Sequence, residues 1–175
     1  QDYIDEIEPQ VEEFVSKYYK ALIQSKFRPE LEKKWGEQLF ALAEARIKVF
    51  SPEIVPLLQT ENKLSSEYTK LIASAKIDFE GEEYTLAQLE PFTQSTDRSI
   101  RKKANEARFG FFAEKEKELD HIYDELVKVR TSIAHKLGYK NFVELAYLRM
   151  DRTDYNADMA AEFRNEIKEF IVPIA

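Results

Sequence analysis

Few residue types in this chain could carry chemistry, and their spacing narrows the choice further. The 175 residues include no cysteine and two histidines, which excludes disulfides, thiol catalysis and thiolate metal sites. His121 and His135 are fourteen residues apart. On one helix that places them on nearly the same side but about 21 Å apart along the axis, so one ion cannot join them. Around His121, Glu118 and Glu125 put two carboxylates and an imidazole on one helical face. Carboxylate-bridged metal bundles use such a Glu-x-x-His pair, but they need two of them plus two more carboxylates. Ser132 stands three residues before His135, so the second pair is missing and a solvated polar face accounts for the first. No His-Glu-x-x-His, glycine-rich phosphate loop or nucleophile elbow occurs. A Ser–His–Asp arrangement would require one histidine to project towards a distant serine. Acid pairs such as Glu82-Glu83 are too common in an acidic chain to mark a site.

Arg98, Arg101, Lys102 and Lys103 crowd a region where a helix would begin, and there the dipole disfavours cations. They form either a solvated face or a docking surface for an acidic partner or for a missing part of a parent chain. A net charge of −7 argues against nonspecific binding to nucleic acid or to an anionic membrane. No apolar run approaches the ~20 residues of a membrane span, and the acidic start Gln1-Asp2-Tyr3-Ile4-Asp5-Glu6 does not read as a signal peptide. With 43% hydrophobic and 34% charged residues the chain is globular and long enough for a core. It opens without an initiator methionine and closes on the apolar run Phe170-Ile171-Val172-Pro173-Ile174-Ala175. Both ends are those expected of a fragment of a larger protein.

The elements that must position any site are helical. From Asp97 to Leu137, Ile100, Ala104, Ala107, Phe111, Ile122, Leu126, Val129, Ile133 and Leu137 recur at helical steps. Asp97 suits the N-cap and Gly138 the left-handed stop, predicting a rod of roughly 60 Å. Upstream, Glu8-Pro9 should open a first helix with Val11, Phe14, Val15, Tyr18, Leu22 and Ile23 inward. Arg28-Pro29 should start a second, with Leu31, Trp35, Leu39, Leu42 and Val49 inward. Ser51-Pro52-Glu53 should cap a third that carries Ile54, Leu57, Leu58, Leu64, Tyr68, Leu71 and Ile72. Ile77 and Phe79 alternate before Gly81, which predicts a short hairpin near 76–85. Thr85 with Gln88 forms a capping box for a brief helix that Pro91 should end, and Asn141 with Glu144 opens another short helix. A polar loop, Asp151-Arg152-Thr153-Asp154, then leads to a last helix with Met159, Phe163, Ile167, Phe170 and Ile171 inward. The expected fold is all-α: one elongated multi-helix domain, residues 1–175, built around the long helix at about 97–137.

Several blocks occur in an order that resembles one family. Glu61-Asn62-Lys63-Leu64 and Ala75-Lys76-Ile77-Asp78-Phe79-Glu80-Gly81-Glu82 come first. The run from Glu118 to Arg130, Ala134-His135-Lys136-Leu137-Gly138-Tyr139-Lys140-Asn141-Phe142 and Tyr147-Leu148-Arg149-Met150-Asp151-Arg152-Thr153-Asp154-Tyr155 follow. Together they resemble the oligoendopeptidase F group of thimet-oligopeptidase-like zinc peptidases. The resemblance implies a helical, two-lobed cytoplasmic peptidase whose lobes flank a deep channel for oligopeptide substrates. In that family zinc is held by the histidines of His-Glu-x-x-His and a later glutamate, and the motif's own glutamate acts as general base. None of these residues matches here, so the resemblance places this segment upstream of the catalytic motif, inactive alone and binding no zinc itself.

Within that reading, Tyr147, Arg149, Arg152 and Tyr155 are the candidates for substrate contact. They cluster at a helix–loop–helix junction, where aromatic faces and fixed positive charge suit a peptide's carbonyls and terminal carboxylate. Alternatively, Arg152 and Asp154 tie the loop while the tyrosines pack. A free-standing helical interaction module, using the long rod as a coiled-coil surface, is the competing function. Lys115 and Glu118 interrupt the heptads such a seam needs.

Overall fold

The computed structural model describes residues 2–175. Helices dominate it: α1 Glu8–Ile23, α2 Arg28–Trp35, α3 Glu37–Lys48, α4 Val55–Ala73, α5 Leu86–Thr93, α6 Arg98–Glu114, α7 Glu116–Lys136, α8 Phe142–Arg149 and α9 Ala157–Glu166. Ile77–Phe79 (β1) and Glu82–Tyr84 (β2) make the only strand pair among the described residues, antiparallel with Ile77 opposite Tyr84 and Phe79 opposite Glu82. The fold is therefore all-α with a small hairpin. It divides into two compact units, residues 60–129 and residues 2–59 with 130–175. α4 and α7 each contribute to both.

In the 60–129 unit the hairpin organises the core. Glu80 and Gly81 both take positive φ, +50° and +89°, as the two central residues of a tight hairpin turn require. Alternation along β1 then sends Ile77 and Phe79 inward and Asp78 outward. Ile77 and Phe79 join Ala75, Leu89, Ala104 and Phe111 in one buried cluster, edged by Tyr84, Phe92 and Ile100. Phe79, Tyr84 and Phe92 pack with ring centroids 5.1–6.3 Å apart, within the range where aromatic pairs add to burial. The capping box at Thr85 and Gln88 forms in both directions, and Asp97 accepts the backbone N–H groups of Ser99 and Ile100. α5 does not stop at Pro91: it runs on to Thr93, and Gln94 and Ser95 close it with N–H bonds to the carbonyls of Pro91 and Phe92.

The expected continuous rod is two helices. Lys115 has φ −94° and ψ 8°, outside the helical range, and α7 restarts at once with Glu116 and Glu118 in its first turn, where the dipole favours acids. The inward stripe has its widest gap there, between Phe111 and Ile122, so little burial opposes the break. Similarly, Gly36 at φ +88° separates α2 from α3, and Trp35 at the end of α2 stays exposed. Ser51 does not cap α4 with its hydroxyl. Its carbonyl instead accepts the Ile54 N–H in the 3-10 turn Pro52–Ile54 that precedes α4.

The other unit is centred on α3, against which α1, α2 and α8 pack. Small Ala43 and Ala45 sit beside Phe40 in its buried face, with Ile54, Ile133, Ala134 and Leu145 also buried in this unit. Arg28 lies 5.1 Å over the Phe40 ring and donates to Glu32 (2.6 Å) and Glu44 (2.9 Å). Those bonds hold its proton more tightly than usual. α1 turns only part of its expected stripe inward, with Val15, Leu22 and Ile23 half-buried. Pro9 and Ser16 are its buried residues, while Val11, Phe14 and Tyr18 are exposed. A π-helical turn, Tyr3–Ile7, runs into α1 ahead of the Glu8-Pro9 start. Along α9 and the π-helical turn Ile167–Ile171 that follows it, the expected inward residues Met159, Phe163, Ile167, Phe170 and Ile171 are all exposed, as is Tyr68 on α4. A helical stripe packs only where another element reaches it.

Candidate functional site

The junction between α8 and α9 is built by ordinary helix-end chemistry. Asn141 starts α8 by accepting the Val143 N–H, and Asn156 starts α9 by accepting those of Asp158 and Met159. α8 ends in paired reverse bonds: Asp151 N–H reaches the Leu148 carbonyl (3.0 Å) and Arg152 N–H the Tyr147 carbonyl (3.1 Å). This termination usually needs glycine at the left-handed position, yet Asp151 occupies it at φ +55°. The strain is offset by contacts to α3. Arg46 Nη2 donates to Asp151 Oδ2 at 2.7 Å, and Gln38 Nε2 donates to Thr153 Oγ1 at 2.9 Å. Among the described residues Asp151 Oδ1 is buried with no protein hydrogen-bond partner, so the arginine contact anchors that carboxylate through Oδ2.

This anchored loop brings together three of the four residues singled out in the sequence. The Arg152 guanidinium lies 4.4 Å from the Tyr147 ring centroid and 5.1 Å from that of Tyr155. The two rings are 6.2 Å apart at 72°. Arg152 is half-buried and Tyr155 exposed. Two aromatic faces thus hold a permanent cation in a defined orientation with part of it open to solvent. Arg149 is placed differently: it stacks 5.7 Å from the Phe142 ring, which Arg130 approaches at 5.6 Å. Asp151, rather than Asp154, provides the loop's ion pair. Arg46 and Gln38 escaped the sequence reading because nothing local links them to residues more than a hundred positions away. The Asn156 cap was detectable from its type and position alone.

The remaining candidates are less organised. His135 Nε2 lies 3.2 Å from the Lys140 carbonyl, within the turn that follows Gly138. That turn is closed by Gly138 N–H to His135 and Tyr139 N–H to Ala134, with Gly138 at φ +85°. His121 is exposed beside Glu118, Glu67 and Lys70 on an open depression of about 480 Å³. Among the described residues no group of three or more His, Cys, Asp or Glu side chains could hold a metal. Arg98, Arg101 and Lys102 line a shallow depression of about 340 Å³ with Asn105. Local partners engage most of this basic group: Arg101 donates to the Ser95 carbonyl, Lys102 pairs with Glu106 and Lys103 with Glu80.

Comparison with known proteins identifies the class first. Residues 1–50 match the family model of the peptidase M3 N-terminal domain. No curated protein sequence matches the chain. Solved structures extend the likeness to 99% of its length. A protein described as oligoendopeptidase F is 64% identical with a TM-score of 0.95, and PZ peptidase A, solved with an inhibitor, is 65% identical with a TM-score of 0.95. An oligoendopeptidase F from Bacillus anthracis str. Ames is 62% identical with a TM-score of 0.94. The chain belongs to the oligoendopeptidase F family. It spans about a third of the length of these structures, 31–32% of each.

Proposed function

We propose that this segment is a non-catalytic part of a zinc metalloendopeptidase that hydrolyses oligopeptides, where it forms wall and scaffold of the substrate channel. The observation that carries the reading is the 62–65% identity to oligoendopeptidase structures over 99% of the chain. In this reading the zinc is held by other parts of the parent chain, because no His-Glu-x-x-His occurs in this segment. This segment contributes positioning. Arg152, held between Tyr147 and Tyr155, meets a peptide's carbonyl oxygens or terminal carboxylate, and the tyrosine faces meet its side chains. Asp151 and Arg46 keep that arginine in place. The net charge of −7 disfavours nucleic acid and anionic membrane as partners, and no described helix is long and apolar enough to cross a membrane. The absence of cysteine fits a cytoplasmic location.

Two measurements test this. An antibody raised against the segment should detect a native polypeptide several times heavier than 20.6 kDa. A band at that mass would sink the reading. In the full-length enzyme, Arg152→Ala should lower kcat/KM for short peptides about tenfold, equivalent to ~1.4 kcal/mol of transition-state stabilisation, with less loss for peptides amidated at the carboxyl end. An unchanged kcat/KM would remove Arg152 from the substrate contacts.

A further inference from the structure

Among the described residues the Arg152 guanidinium pairs with no carboxylate and rests instead on the rings of Tyr147 and Tyr155. Two acids lie within reach along the chain. Asp154 is exposed, where water screens its charge. Asp151 directly precedes Arg152 and is half-buried. A carboxylate beside a guanidinium, on a side chain free to turn, pairs with it through charge-assisted hydrogen bonds. Such a pair would neutralise the charge that a substrate carboxylate needs. α3 prevents it. Arg46 Nη2 donates to Asp151 Oδ2 at 2.7 Å, and Gln38, roughly two turns earlier on α3, ties Thr153 Oγ1 at 2.9 Å. The two ties fall on either side of Arg152.

Asp151 does not hold this arrangement by its own preference. It sits at φ +55°, and its Oδ1 is buried without a partner among the described residues. A strained residue with an orphaned oxygen persists only where its surroundings over-determine it, and here the side-chain hold is Arg46. We propose that Arg46 is a positioning residue that acts by sequestration: it keeps the Asp151 carboxylate on α3, so that Arg152 stays unpaired and open to a substrate carboxylate. The inference rests on the reading of Arg152 as a substrate contact. It is distinct from anchoring the loop, because the reverse main-chain bonds that close α8 and the Gln38–Thr153 tie do not involve the Asp151 carboxylate.

Steady-state kinetics of the full-length enzyme, with short peptides bearing a free terminal carboxylate, tests it. Arg46→Ala should raise KM about fivefold with little change in kcat, the scale of one partly exposed ion pair. Arg46→Lys keeps the charge and should stay near wild type. Asp151→Gly removes the carboxylate and suits the positive φ, so it should also stay near wild type, and adding it to Arg46→Ala should restore KM. A crystal structure of full-length Arg46→Ala should show Asp151 turned onto the Arg152 guanidinium. An unchanged KM in Arg46→Ala overturns the proposal. An Asp151→Gly defect equal to that of Arg46→Ala makes the pair a plain anchor and also overturns it. So does a double variant no better than Arg46→Ala, or a crystal structure in which Asp151 faces solvent or its loop is disordered. The substrate contact itself stands or falls separately, on Arg152→Ala.

Discussion

The hairpin-centred core between Ile72 and Phe112 and the carboxyl-terminal helix from Ala157 onwards both space large apolar side chains regularly, yet only the first is sealed. In the former, the chain doubles back within forty residues. β1, β2, α5 and α6 return on one another, and Ile77, Phe79, Leu89 and Phe111 meet in one cluster. In the latter, Phe163, Phe170 and Ile171 project from a helical segment that ends at Ile171, and residues 162–175 are all exposed. Helical or alternating spacing identifies an apolar face. Whether that face stabilises the fold depends on what else the chain brings to it.

The difference can be measured by matched truncations. Leu89 is fully buried, and Leu89→Ala should lower the free energy of unfolding by about 2–5 kcal/mol in chemical denaturation. Phe163→Ala removes a larger side chain from an exposed site and should change it by less than about 0.5 kcal/mol. Equal losses would break the comparison. Removing the capping box that launches α5 sharpens it: Thr85→Ala should cost about 1 kcal/mol, because the helix it starts delivers Leu89 to the core.

The smallest expected effect is a pH response. Burial holds the Tyr139 proton above the usual phenol range, with Glu144 adding to the shift, and its hydroxyl donates to the Lys48 carbonyl at 3.3 Å. Folding therefore favours the protonated phenol. The contribution is fully present below the unfolded tyrosine value near 10 and is lost as pH rises through the higher folded value. Tyr139→Phe should flatten the fall in stability above pH ~10. An unchanged alkaline profile would place the effect elsewhere.

Much of this fold was legible because it is local. Asp97, Thr85 with Gln88, Asn141 and Gly138 each mark a helix end through bonds spanning only a few residues, and the hairpin follows from alternation beside a glycine turn. The breaks at Gly36 and Lys115 were harder to see. Apolar spacing survives a one-residue interruption, so a stripe that crosses a break still reads as one helix. At the candidate site, the types and clustering of Tyr147, Arg152 and Tyr155 were visible, whereas the anchoring of their loop was not. Arg149, equally plausible by type, stacks on Phe142 instead.

By itself, the sequence determined the helical class, the caps and turns, and the poverty of metal-ligating chemistry, because these depend on residue type and on interactions a few positions long. Tertiary structure alone decided which stripes became core, why α1 turns Phe14 and Tyr18 to solvent, and how Arg46 and Gln38 reach across from α3 to hold the Asp151 loop. Those outcomes depend on which surfaces meet in space. One-dimensional spacing carries no information about the partner of a face.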